Sequence, residues 1–183
     1  MKRANSPTID VLTPAAGWTR SLPTVDSIVR RAARAAWEDG APARLKRRAG
    51  AAELAVVLTG DAAIRKLNAT YRGKDKPTNV LSFPAGANGP SGEALILGDV
   101  VVAYGTVVKE AKEGGKSLKN HLSHMVVHGV LHLLGYDHER PSDAKTMERL
   151  ETKILARLGI ADPYGDTIPE PSVKKPRGAR RPT

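Results

Sequence analysis

The chain has 183 residues, of which 40% are apolar, enough for one compact domain with an aliphatic core and tails. No run approaches the roughly 20 apolar residues of a membrane span. No apolar stretch follows the basic residues of MKRANSPTIDV to make a signal peptide, and the lack of Cys excludes disulfides and thiolate sites. A cytoplasmic protein is the simplest expectation. Formal net charge is +10. Residues 163–183 supply +3 of it, so +7 lies elsewhere and the basic character is more than a tail effect. Such a field favours polyanions, either nucleic acid or an acidic membrane surface, against the plain alternative of a well-solvated basic protein.

In chain order, TIDVLT (8–13) alternates as a strand does and is followed by a Pro/Gly/Ser-containing connection. TVDSIVRRAARAAWEDG reads as a helix, with Thr24 as N-cap and Gly40 as stop. RLKRR (44–48) is a basic patch. ELAVVLT (53–59) is a strand, and DAAIRKLNATYR (61–72) is a helix with Ile64 and Leu67 on one side. TNVLSF (78–83) is a strand bracketed by Pro77 and Pro84, and AGANGPSGE after it is a loop. LILGDVVVA (95–103) is a strand in which Gly98 marks a bulge or a close backbone approach. Helices are expected over 104–113, ending at Gly114-Gly115, over 118–134, and over 141–158 between Pro141 and Gly159. From Pro163 onward Pro, Gly and basic residues predict disorder. The expectation is a single α+β domain over 1–164, with a central mixed sheet of about four strands packed by helices, and a basic disordered tail over 165–183.

All five histidines fall between 121 and 138. His124, His128 and His132 are spaced by four and share one helical face. Adjacent members lie about 6 Å apart along the axis and can share an ion, whereas His124 and His132, about 12 Å apart, cannot readily do so. Gly135 favours the pair His128/His132, because a glycine one turn later can end the helix in a left-handed conformation and return His138 as third ligand. Three protein ligands plus an open position is the plan of a catalytic zinc site, here on a buried helix and the turn after it. HGVLHLLGYDH (128–138) has the ligand spacing of the zinc-protease motif H-E-x-x-H-x-x-G-x-x-H, with Gly129 in place of the general base. Peptide hydrolysis by that mechanism is therefore disfavoured. The alternative is histidines with ordinary partners. Two unpaired imidazoles on a helix this apolar would carry a desolvation cost that metal ligation removes. His121 and His124 are assigned structural or ligand-supporting roles. Asp137 either orients an imidazole or caps the turn, and Glu139 is the nearest Glu that could serve as a base, although it lies outside the helix and reads as solvated.

YRGKDKPTNVLSFP (71–84) holds Arg72, Lys74 and Lys76 ahead of a strand. By itself this reads as a solvated loop. Near a metal, Arg72 would supply the bidentate clamp that a phosphodiester needs as its charge builds. Together LNATYRGKDKPTNVLSFP, LILGDVVV, HMVVHGVLHLLGYDH and ME-x-x-E-x-x-IL-x-x-LG (Met147 to Gly159) resemble the YbeY family of bacterial endoribonucleases, the 16S rRNA maturation factors. The resemblance covers roughly 50–164. It implies a zinc-dependent, single-strand-specific endoribonuclease acting in 16S rRNA 3′-end maturation, rRNA processing and ribosome quality control. It also implies one Zn2+ per chain on His128, His132 and His138.

On this reading Arg72 and His128 are catalytic, and Arg72, Lys74 and Lys76 contact substrate in a groove shared with the 44–48 patch. The partners are single-stranded RNA, ribosomal RNA and the small ribosomal subunit, with neither membrane nor DNA expected. The alternatives are a different metallohydrolase, such as a peptidase, and a ribosome assembly factor whose zinc is not catalytic.

Overall fold

The computed structural model describes residues 6–48, 52–86 and 94–165. The elements run β1 (Thr8–Leu12), α1 (Ala16–Ser21), α2 (Val25–Gly40), α3 (Ala43–Arg48), β2 (Ala52–Thr59), α4 (Asp61–Arg72), β3 (Val80–Pro84), β4 (Leu95–Ala103), α5 (Tyr104–Glu113), α6 (Leu118–Leu133) and α7 (Pro141–Arg157). The strands form one sheet in the order β1-β2-β4-β3. β1, β2 and β4 are parallel, and β3 closes one edge antiparallel to β4. This is the single α+β domain with a mixed four-stranded sheet that the sequence predicts.

The apolar run over residues 100–103 of β4 is buried on both faces, as expected of a central strand. Val100 and Val102 enter the large core with α2 and α6, while Val101 and Ala103 enter a smaller one with Ile64 of α4 and Leu81 of β3. Helix α6 is enclosed in the large core, with Leu122, Val126, Val127, Val130 and Leu131 all fully buried. That burial accounts for its apolar character nearly all round. Gly98 fulfils both expectations for it. Leu54 pairs with Gly98 while Glu53 pairs with Ile96, so the register shifts there. At φ +124, a Cβ on Gly98 would lie 2.1 Å from the Phe83 carbonyl oxygen.

Elsewhere the sequence reading needs correction. The connection after β1 contains α1, whose Trp18 is fully buried and donates its indole N–H to the Thr59 carbonyl at 3.1 Å. A six-residue helix announced by one Trp among Pro and Gly has too short a period to register in sequence. Thr24 does precede α2, but its side chain makes no capping bond; Ser27 Oγ instead donates to the Thr24 carbonyl at 2.8 Å. The 44–48 patch is the body of α3. β3 begins at Val80, two residues later than expected, and the Asn79 side chain accepts the Val80 N–H at 2.7 Å. The breaker-rich loop over 87–93 and the tail after Gly165 lie outside the described residues.

Candidate active site

The C-terminal end of α6 builds the site. Gly135 has φ +95 and closes the helix: its N–H donates to the His132 carbonyl at 3.0 Å, and the Tyr136 N–H donates to the Leu131 carbonyl at 3.1 Å. These are the paired bonds of a Schellman cap. Tyr136 Oη then donates to the Gly40 carbonyl at 2.9 Å, tying the turn to the end of α2. The chain so returned brings His138 back against α6. Ligand-capable nitrogens of His128, His132 and His138 all lie within 4.8 Å of one another, and they are the one such metal-compatible group among the described residues. The His128 and His132 Nε2 atoms are 3.1 Å apart. Two nitrogens bound tetrahedrally to zinc sit about 3.3 Å apart, given Zn–N distances of about 2.0–2.1 Å.

The donor chemistry fits an ion as well. His128 Nδ1 lies 2.7 Å from Glu151 Oε1. Burial alone would push the Glu151 carboxyl up, but hydrogen bonds from His124 and His128 outweigh it and hold the group down at about 2. Glu151 is therefore an ionised acceptor to which the His128 Nδ1–H donates, and the His128 Nε2 on the other side of the ring faces His132. Burial, with the neighbouring His128 and His138 rings, lowers His132 to about 4, which leaves that imidazole uncharged at neutral pH. An uncharged imidazole is the form a metal requires.

His138 is more exposed. Asp137 Oδ1 accepts its backbone N–H at 2.6 Å and approaches its ring Nδ1 at 3.5 Å, so the turn-capping contact is the closer of the two proposed for Asp137. His124 bonds Glu151 Oε2 at 2.8 Å, and His121 bonds Glu110 Oε2 at 2.7 Å. Neither belongs to the convergent trio.

The three rings open into a cleft of about 740 Å3 also lined by Arg72, Lys74, Lys76 and Ser82. The basic loop is folded, although its side chains are exposed. Gly73 ends α4 in a left-handed conformation, and Lys74 N–H donates back to Asn68 O at 3.2 Å. The buried Asn68 amide donates to Lys76 O at 2.8 Å, and Arg65 grips Asp75 through two bonds of 2.8 and 2.9 Å. Those contacts direct Arg72, Lys74 and Lys76 to one rim. Glu139 is exposed and also borders the cleft. Residues 44–47 do not line it, so the groove expected to combine α3 with the 72–76 loop is not formed among the described residues.

Gly129 occupies the position of the protease base, and its surroundings explain the glycine. A Cβ there would lie 2.5 Å from Val100 Cγ1 and 3.2 Å from Ser82 Oγ. Ser82 Oγ donates to the Gly129 carbonyl at 3.0 Å. This face of α6 lies directly on the sheet. Any side chain at 129 would require Val100 to move.

Fold and site together define a class: an α+β domain with a three-histidine group, suited to a metal ion, opening into a cleft that a guanidinium also lines. The Endoribonuclease YbeY family model matches residues 24–159, and the chain belongs to that family. It is 48% identical over 170 residues to the Endoribonuclease YbeY of Bradyrhizobium sp. (strain BTAi1), spanning 91% of this chain and 97% of that one. It is 60% identical over 117 residues to the Endoribonuclease YbeY of Rhodopseudomonas palustris (strain CGA009), spanning 63% and 62% respectively. The solution structure of TM1509 from Thermotoga maritima superposes with a TM-score of 0.54 at 26% identity, covering 94% of this chain and all of that one. Membership in an endoribonuclease family makes the protein an RNA-cleaving hydrolase. No helix among the described residues is long and apolar enough to cross a membrane.

Proposed function

We propose that this protein is a zinc-dependent endoribonuclease that cuts unpaired RNA, with ribosomal RNA of the small subunit as its substrate. The observation that carries the proposal is the meeting of His128, His132 and His138 within 4.8 Å in the same cleft as Arg72, Lys74 and Lys76. The three imidazoles would hold one Zn2+. An ion there would supply positive charge to the phosphoryl oxygens and would acidify a water or an RNA hydroxyl. Arg72 offers a planar fork of donors to those oxygens as negative charge builds on them. Lys74 and Lys76 hold the flanking backbone as point charges.

The family supports RNA as substrate; 16S 3′-end maturation, ribosome quality control and a cytoplasmic site of action extend that reading. A peptidase is disfavoured by Gly129, which supplies no carboxylate at the position of the usual base. The test is cleavage of matched single- and double-stranded RNAs by native, metal-stripped and zinc-restored protein. Cleavage confined to the single strand, lost on stripping and regained with zinc, is the expected result. Cleavage that survives complete stripping rejects the proposal, and Arg72→Ala and His132→Ala variants that still mature 16S rRNA in a deletion strain favour an assembly factor.

A further inference from the structure

Glu151 is the only Asp, Glu, Lys or Arg among the described residues that is buried, at 1% exposure. A carboxylate so placed is costly unless it is fully bonded. It sits on the inner face of α7 with Met147, Ile154 and Leu155, where the helical pattern calls for an apolar residue. Three donors surround it. His128 Nδ1 is 2.7 Å from Oε1, His124 Nε2 is 2.8 Å from Oε2, and the Tyr164 hydroxyl also donates to Oε2.

Tyr164 reaches the carboxylate from the turn after α7. Asp162 Oδ1 accepts both Thr152 Oγ1–H, at 3.0 Å, and the Tyr164 N–H, at 2.9 Å. The Tyr164 ring stands edge-on to His124, with centroids 5.8 Å apart. Tyr164 lies beyond residues 24–159, the segment matched by the family model.

We propose that Glu151 is a positioning residue for the metal centre and that Tyr164 and His124 hold it in place. Its Oε1 fixes the His128 tautomer and ring plane, so that Nε2 points at the ion. Its Oε2, occupied from two directions, stops the carboxylate from rotating away. Carboxylates that support a ligating histidine in this manner typically change metal affinity 10–100-fold when removed. The inference rests on the reading that the three histidines hold an ion.

Zinc titration of the stripped protein against a competing chelator tests it, alongside urea unfolding of the same stripped samples. Glu151→Ala is expected to weaken zinc binding about 10–100-fold. Glu151→Gln, which keeps an acceptor oxygen but loses the charge, should weaken it less. Tyr164→Phe should weaken it in the same direction by a smaller factor while leaving the stripped protein folded. Should Glu151→Ala not fold, the Gln and Phe variants carry the test. Folded variants that bind zinc as tightly as the parent overturn the inference, including when their stripped forms unfold more easily, since that pattern belongs to a packing role alone. If the parent itself binds no zinc, the metal reading fails first, which is a different result from parent binding matched by the variants.

Discussion

At the scale of single residues, the site divides into groups whose roles follow from chemistry and groups whose roles follow from burial. Arg72 is of the first kind. It is exposed at the end of α4 and lines the cleft with the histidines. Losing a donor aimed at developing charge costs about 10²–10³ in rate. Arg72→Ala should therefore lower kcat on single-stranded RNA by about that factor, with zinc affinity unchanged. Arg72→Lys should recover little, because an ammonium cannot make the bidentate contact; full activity in the Lys variant would show that charge alone suffices. The trio His128, His132 and His138 was legible in sequence because helical spacing and Gly135 restrict which rings can meet. Glu151 was not. A Glu on a helix ordinarily reads as solvated, and the clue lay in its phase, since it falls on the same face as Met147 and Ile154. Glu110 was missed for a related reason. Its partners Asn79, at 3.2 Å, and His121, at 2.7 Å, come from other parts of the chain.

At the scale of elements, the site depends on how closely α6 lies on the sheet. Gly129 permits that approach, and Val100 fills the space a side chain would take. Overpacking a tight contact typically costs 1–3 kcal/mol. Gly129→Ala should cost about that much, which for a chain of this size lowers Tm by about 2–4 °C per kcal/mol. Calorimetry of the metal-stripped variant checks it, and an unchanged Tm would mean that α6 can lift off β4 freely. Long, strongly patterned elements such as α2, β4, α6 and α7 were readable from their period and their Gly and Pro stops. The failures were local. Helix α1 rests on tertiary anchors, the Trp18–Thr59 bond across 41 residues of chain and the packing of Trp18 and Ser21 against Tyr104. The start of β3, two residues into TNVLSF, is announced by no periodicity.

His121 links the element scale to the medium. It sits on α6 with its imidazole buried, facing Glu110 of α5, with Lys116 and His124 also nearby. Burial lowers its pKa from the ordinary 6.5; the Glu110 bond opposes that, and the His124 and Lys116 charges add to it. The folded-state value is therefore below the unfolded one. As pH falls through the ordinary imidazole range, the unfolded chain takes up a proton that the folded chain resists, so this contribution to stability is present above that range and is lost on acidification. His121→Gln should flatten the decline in urea midpoint between about pH 7 and pH 5 relative to the parent. An equally steep decline in the variant would assign the acid sensitivity to other groups.

For the whole molecule, the question is whether its net charge of +10 acts as a diffuse field or through particular contacts. A diffuse field speeds encounter with any polyanion and depends little on which cation is removed. Localised contacts release a countable number of ions, and for single strands the logarithm of affinity falls with the logarithm of salt at a slope of about −0.7 per phosphate neutralised. Lys74 and Lys76 project into the cleft from a loop held by Asn68 and the Arg65–Asp75 pair, so each should act as one countable contact. Arg31 is also exposed, but it lines a separate groove between α2 and the end of α7. Binding of a short unpaired RNA, measured across a salt series, should lose about 0.7 of slope with Lys74→Ala, the same with Lys76→Ala, and about 1.4 with both. Arg31→Ala should leave the slope at the parent value. An Arg31 effect as large as those of the two lysines would mean that the RNA is held by the field of the whole surface, and the cleft would then owe its selectivity to the histidines and Arg72 alone.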